Sequence, residues 1–213
     1  MPTEQIIDRV RRALMLDSVA YEEVRDDAAF TPYALGLGAI AALLGGIGSF
    51  LWASVILNDT SDFFLEATIL GTLFLIFLWL AGILLAYVIL NQLWREDITV
   101  DGLIRVMAVA HIPFAVSLLV CIPVLSFAFA ILAVAAMFFY ANFGLRAAYP
   151  AIEPVRVLGA VTAAFAVWLI ILPLLTSRDN EYAPGTFVYE WSADVVKDIA
   201  DITSDFRSLL PNQ

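Results

Sequence analysis

The alternation of long uncharged apolar runs with short charged stretches organises this chain. The clearest run lies between Arg105 and Arg146, where forty residues carry no formal charge. One helix crosses the hydrocarbon of a bilayer in ~20 residues, so the run predicts two crossings. An antiparallel pair places both arginines on one side of the membrane. The turn is predicted at 121–126, because Pro123 has no N–H to offer and disfavours helix at Ile122. The same pattern predicts helices over 31–57, 67–93, 103–121, 126–148 and 155–175. The expected fold is therefore all-α, an integral membrane bundle of five transmembrane helices with amphipathic N- and C-terminal helices.

Within these runs the small and polar residues are patterned. The first span opens with Thr31-Pro32, a cap followed by proline at the first helical position, and stops at Asn58-Asp59. It carries two i,i+4 ladders of small residues. One is Ala34, Gly38, Ala42 and Gly46; the other is Ala41, Gly45, Ser49 and Ala53. Each ladder forms a groove in which a second backbone can lie close, which predicts a central, tightly packed helix. A self-association face is the alternative use of the same grooves. The second span is rich in Leu and Phe, which predicts more lipid contact. Trp94 at its end fits an interfacial aromatic belt, and Asn91 is expected at the interface.

The flanks show helical amphipathicity. In 3–16, Ile6, Ile7, Val10, Leu14 and Met15 fall on one face, with Asp8, Arg9, Arg11 and Arg12 on the other and Thr3 as N-cap. Such a helix can lie in the membrane surface with its arginines near headgroups, or pack on the ends of the spans. A second short helix is predicted over 17–27. Beyond the spans, Trp191, Val195, Ile199, Ile202, Phe206 and Leu209 recur at helical spacing beside Asp194, Asp198, Asp201 and Asp205. The chain thus divides into an N-terminal segment (1–30), a membrane domain (31–176) and an acidic tail (177–213) with an amphipathic helix at 191–209.

Composition strengthens the membrane assignment. The apolar share is 62% and the mean hydropathy +0.89, beyond the ~45–50% apolar content of soluble domains. The net charge of −10 leaves no basic stripe for a polyanion, so nucleic acid is excluded as a partner. Seven carboxylates precede Thr31 and seven follow Thr176. Basic residues set the orientation. The N-terminal segment and the loops at 94–105 and 146–156 share eight of the eleven, and lie together if the chain crosses five times. That excess predicts a cytoplasmic N-terminus and an extracytoplasmic C-terminus in the cell membrane. No secretory signal peptide is visible in the first thirty residues, so the first span is expected to act as the insertion signal.

Catalytic signatures are missing. No HExxH, G-x-S-x-G, CxxC or phosphate-binding glycine loop occurs, and one histidine with one cysteine (Cys121) makes no His- or Cys-based metal site. Hence no catalytic residue, cofactor or metal is assigned, and a non-enzymatic protein is expected. One intramembrane polar cluster stands out. His111 lies eight residues inside the third span, about 12 Å deep. Tyr140 and Asn142 lie at a similar depth in the antiparallel fourth span, within reach of a hydrogen bond. Such contacts commonly just hold helices together, at ~0.6 kcal/mol; a substrate, proton or lipid site is the alternative. Pro113 can kink the helix beside it. Arg105 and Arg146 are expected to snorkel to the cytoplasmic interface.

The segment 100–113 (VDGLIRVMAVAHIP) resembles the start of the third span in prokaryotic members of the Yip-type membrane-protein family. The stretch 142–149 (NFGLRAAY) resembles the end of that family's fourth span, and 16–24 (LDSVAYEEV) its pre-membrane helix. The resemblance covers about residues 10–176 and implies five spans with a cytoplasmic N-terminus. Eukaryotic relatives act in vesicle traffic and contact Rab-type GTPases. The Asp-Leu-Tyr-Gly-type motif of that branch does not occur here, which argues against a GTPase partner. The function expected is that of a scaffold or accessory protein contacting membrane lipids, a membrane-protein partner or a second copy of the chain. The alternative is a small transporter or lipid-handling protein with a polar site near His111, Tyr140 and Asn142.

Overall fold

The computed structural model describes residues 2–56, 64–122 and 124–176. The expected stop at Asn58-Asp59 and the tail helix at 191–209 lie outside them. Among the described residues every regular element is helical. Helix α1 (Thr3–Leu14) and α2 (Ser18–Asp26) form a short antiparallel pair, and a 3₁₀ turn (Ala28–Phe30) leads into α3 (Thr31–Ile56). Then come α4 (Gly71–Tyr87) with π-helical turns at both ends (Phe64–Leu70 and Val88–Leu93), and α5 (Val100–His111), which continues as a 3₁₀ helix (Ile112–Cys121). Helices α6 (Ser126–Ala148) and α7 (Pro154–Thr176) follow. Among the described residues four helical stretches are long and apolar enough to cross a membrane: Ala28–Ser54, Ala67–Leu93, Val100–Cys121 and Ser126–Ala148. Within α7, which runs 23 residues, Pro154–Val167 is a further, shorter apolar helical stretch among the described residues.

Local chemistry sets the helix ends. Pro2, not Thr3, occupies the N-cap of α1 and makes no side-chain cap bond. Asp17 caps α2 by accepting from the Val19 amide at 3.0 Å. Between them Leu16 takes φ 62°, the left-handed turn that reverses the chain. Thr31 is already helical, so it does not cap α3 as its place before Pro32 predicts; its hydroxyl serves Arg105 instead. Thr99 caps α5 by accepting from Gly102. After Leu93 the π turn closes with the Trp94 amide donating to Ile89, five residues back. The Asn91 amide then donates to the carbonyls of Glu96 and Ile98 and so shapes the following loop.

The small residues of α3 govern how closely the bundle packs. A β-carbon on Gly38 would meet the Trp79 ring at 2.9 Å, and one on Gly46 would meet Thr72 Oγ1 at 2.5 Å, so this face of α3 receives α4. The other face receives the 3₁₀ continuation of α5. There a β-carbon on Gly45 would lie 2.8 Å from Ser117 Oγ, and one on Gly48 only 2.5 Å from the Ser117 carbonyl. Ala34, Ala41, Ala42, Ser49 and Ala53 are buried along the same two faces. Yet α3 is not the innermost helix. Of the window in Val100–Cys121 61% is buried, against 44% in Ala28–Ser54, because α2, α3, α4 and α6 all pack around α5.

Three segments share one end of the bundle. The Arg25 guanidinium donates to the Ala148 carbonyl, and Arg156 pairs with Glu96 at 2.6 Å. The α1–α2 pair, the loop after Leu93 and the loop after Ala148 therefore lie together.

Candidate functional site

Arg105 is the first residue whose placement departs from expectation. In place of a side chain reaching outward to the interface, it is 6% exposed, beneath the C-terminus of α2. Its Nε donates to the carbonyl oxygens of Val24 (3.0 Å) and Arg25 (3.1 Å), its Nη1 to Thr31 Oγ1 (3.0 Å), and its Nη2 again to Arg25. The last carbonyls of a helix have no intrahelical donor and carry its negative dipole end. A planar guanidinium meets several of them at once, which a lysine ammonium cannot do as well. Arg105 is thus a buried clamp on α2. Arg146, by contrast, is exposed.

The clamp is backed by apolar packing. Ala20, Tyr21 and Val24 are wholly buried, and a β-carbon on Gly144 would overlap the Tyr21 ring at 2.6 Å. Burial raises the Tyr21 phenol well above its ordinary value and pushes Tyr149 up to about 12, so both stay neutral at physiological pH. Two of the three arginines of α1 pair with acids of the following segment. Arg9 pairs with Asp27 at 2.7 Å, and Arg12 with Asp17 at 2.8 Å and Glu23 at 3.1 Å. Arg11 alone of the three is exposed.

His111, Tyr140 and Asn142 do not form one cluster. The Tyr140 hydroxyl donates to the Leu14 carbonyl at the end of α1, at 2.7 Å. The Asn142 amide donates back to Phe138 within its own helix, at 2.9 Å. His111 sits at the junction where α5 becomes 3₁₀, just before Pro113, whose missing N–H ends the α-helical ladder. Its ring lies between Trp79 (centroids 5.2 Å apart) and Phe114 (5.1 Å, stacked). Its Nδ1 is 2.7 Å from the Met137 sulfur, while its Nε2 is buried without a partner.

A cavity of about 30 Å³ opens at this histidine, lined by Trp79, Met107, His111, Met137 and apolar side chains of α4, α6 and α7. Sequence depth found His111 but not its neighbours, because depth does not fix how α6 is rotated. One signal was legible: Met107 and His111 are four residues apart, on one face of α5.

A second concavity lies on the outside of the bundle. Between α1 and α3 runs an apolar groove of about 370 Å³, lined by Ile6, Ile7, Val10, Leu14, Met15 and Leu37, with Arg11 at its edge. Ile7 is 62% exposed and Met15 66%. Among the described residues no group of three His, Cys, Asp or Glu side chains is placed to hold a metal ion. No family model, no curated protein and no solved structure matches the chain.

Proposed function

We propose that the chain is a non-enzymatic integral membrane protein, of the Yip type that 100–113 and 142–149 resemble, acting through contacts made by its N-terminal helices at the cytoplasmic face. The observation that carries this is the groove between α1 and α3. Helix α1 is held on the bundle by its ion pairs and by Tyr140, yet it leaves Ile7 and Met15 open to the surroundings. An amphipathic helix that keeps exposed apolar residues beside a first span and a free-facing Arg11 suits the boundary between headgroups and acyl chains. Acyl chains would fill the groove, and an anionic headgroup would meet Arg11.

The same proposal includes five crossings of the cell membrane, with α7 as the fifth, a cytoplasmic N-terminus and an extracytoplasmic C-terminus. Its supports are the basic-residue count and the gathering of the α1–α2 pair and two loops at one end of the bundle.

Photo-crosslinking in native membranes tests the contact. A photoreactive residue at Ile7 or Met15 is expected to form lipid adducts, whereas one at Glu4, in the charged cleft with Asp8, Arg9 and Glu23, is not. Protein adducts at both sites would make a membrane-protein partner the occupant. Yields at Ile7 and Met15 no higher than at Glu4 would reject the proposal.

A further inference from the structure

The cavity at His111 has a chemistry that the contact proposal does not use. The chain has one histidine and four methionines, and that histidine and two of those methionines line this single space of about 30 Å³. Met107 and His111 come from successive turns of α5, and Met137 comes from α6 opposite. We propose that this is a binding site for one univalent soft metal ion, Cu(I), held by the thioethers of Met107 and Met137 and by the His111 imidazole.

The donor set selects the ion. Neutral thioether sulfur and imidazole nitrogen suit Cu(I), while hard divalent cations require oxygen ligands that this wall lacks. The size permits it, since about 10–15 Å³ of such space holds one water-sized occupant and this cavity offers about 30 Å³. His111 is 97% withdrawn from solvent (3% exposed), and it is Nδ1, not the unpartnered Nε2, that faces the Met137 sulfur, so Nδ1 is the nitrogen that would hold the ion. Its Nδ1 and the Met137 sulfur, 2.7 Å apart, form one edge of the site. Metal–nitrogen and metal–sulfur bonds of roughly 2.0–2.3 Å would require that pair to separate by about 1 Å. A methionine side chain with three rotatable bonds permits this. The bound ion keeps a single positive charge, and the Trp79 ring beside the imidazole lies within the ~6 Å range of a cation–π contact. An ion with one charge and neutral ligands is also the metal species least penalised by the apolar surroundings.

The test uses the full chain carrying Cys121→Ser, so that the thiol cannot compete, in detergent under anaerobic reducing conditions. Cu(I) is titrated against a chromogenic Cu(I) chelator while tryptophan emission is followed. One Cu(I) per chain is expected, with partial quenching through Trp79 and no displacement by Zn(II). Met107→Leu and Met137→Leu, which conserve volume and leave the fold intact, are each expected to weaken binding at least about tenfold, the scale on which even outer-sphere changes act. The proposal is overturned if the Cys121→Ser chain takes up no stoichiometric Cu(I), or if both leucine variants bind it as tightly as their parent. A thermal melt of each variant excludes loss of fold as the cause. This outcome is independent of the crosslinking result at Ile7 and Met15.

Discussion

Arg105 and Val24 are 81 residues apart in the chain, and the Arg105 Nε donates to the Val24 carbonyl at 3.0 Å. The contact joins the most buried span to the end of α2, and so the first thirty residues are held as part of the bundle. In Arg105→Ala the carbonyls of Val24 and Arg25 lose their charged donor inside a packed site. Hydrogen bonds to charged groups contribute ~1.5–3 kcal/mol each, so a loss of about 2–4 kcal/mol is expected, and Arg105→Lys recovers only part of it. Hydrogen exchange should report it as lost protection over 18–26 with α6 unchanged. Unaltered protection of α2 in Arg105→Ala would remove Arg105 as the clamp.

Acid should loosen the same pair of helices. Hydrogen bonds from Arg12, Arg25 and Arg9 hold the carboxyls of Asp17, Asp26 and Asp27, respectively, below their ordinary value of 3.8. A depressed folded-state value means the unfolded segment binds protons more readily. The stabilisation is therefore complete above pH 3.8 and is lost as pH falls through the lower folded values. Exchange protection of α1 and α2, corrected for intrinsic rate, should be flat from neutrality to about pH 4 and fall below it. Asp27→Asn should flatten part of that decline. A profile that weakens between pH 7 and 5 would assign the control to other groups.

The helical class and the four long apolar segments were legible because bilayer thickness imposes run lengths that charge cannot interrupt. Helix rotation was not legible. At the depth of His111, Tyr140 and Asn142 are the polar residues of the opposite span, but Met137 is the one turned toward the imidazole. Tyr140 is turned aside to meet Leu14, a contact with a segment 126 residues earlier that no local pattern announces. Arg105 carries the same lesson. An arginine near the end of an apolar run snorkels by default, and only the docking of α2 supplies the carbonyls that draw it inward. Gly48 lies off both i,i+4 ladders of α3, three residues after Gly45, and it makes the closest approach to the 3₁₀ segment.

That approach makes Gly48 and Gly36 a matched pair. A β-carbon at Gly48 would be 2.5 Å from the Ser117 carbonyl and 2.8 Å from the Leu118 Cα, both backbone, so the whole segment would have to move. Overpacking of this kind costs about 1–3 kcal/mol. At Gly36 nothing lies within 4 Å, and alanine gains up to ~1 kcal/mol in helix propensity. Thermal unfolding in detergent should place Gly48→Ala below the parent and Gly36→Ala level with it or above. The reverse order would mean that α3 and the 3₁₀ helix are not in this close contact.

The disposition of the chain about the bilayer is testable through the end of the bundle that gathers α1, α2 and two loops. Arg156 bonds Glu96 at 2.6 Å, and Glu96 in turn accepts Asn91 through its carbonyl, so the loop after Leu93 and the start of α7 share one face. If α7 crosses, residues beyond Thr176 emerge on the other face. In a Cys121→Ser background, a cysteine at Asp97 should resist a membrane-impermeant maleimide added to intact cells and react after permeabilisation. A cysteine at Ser192 should react without permeabilisation. Protection at both positions would leave α7 on the cytoplasmic side, reduce the crossings to an even number and bring both chain ends to one face. Reaction at Asp97 in intact cells would invert the whole arrangement, and with it the assignment of the eight clustered basic residues to the cytoplasm.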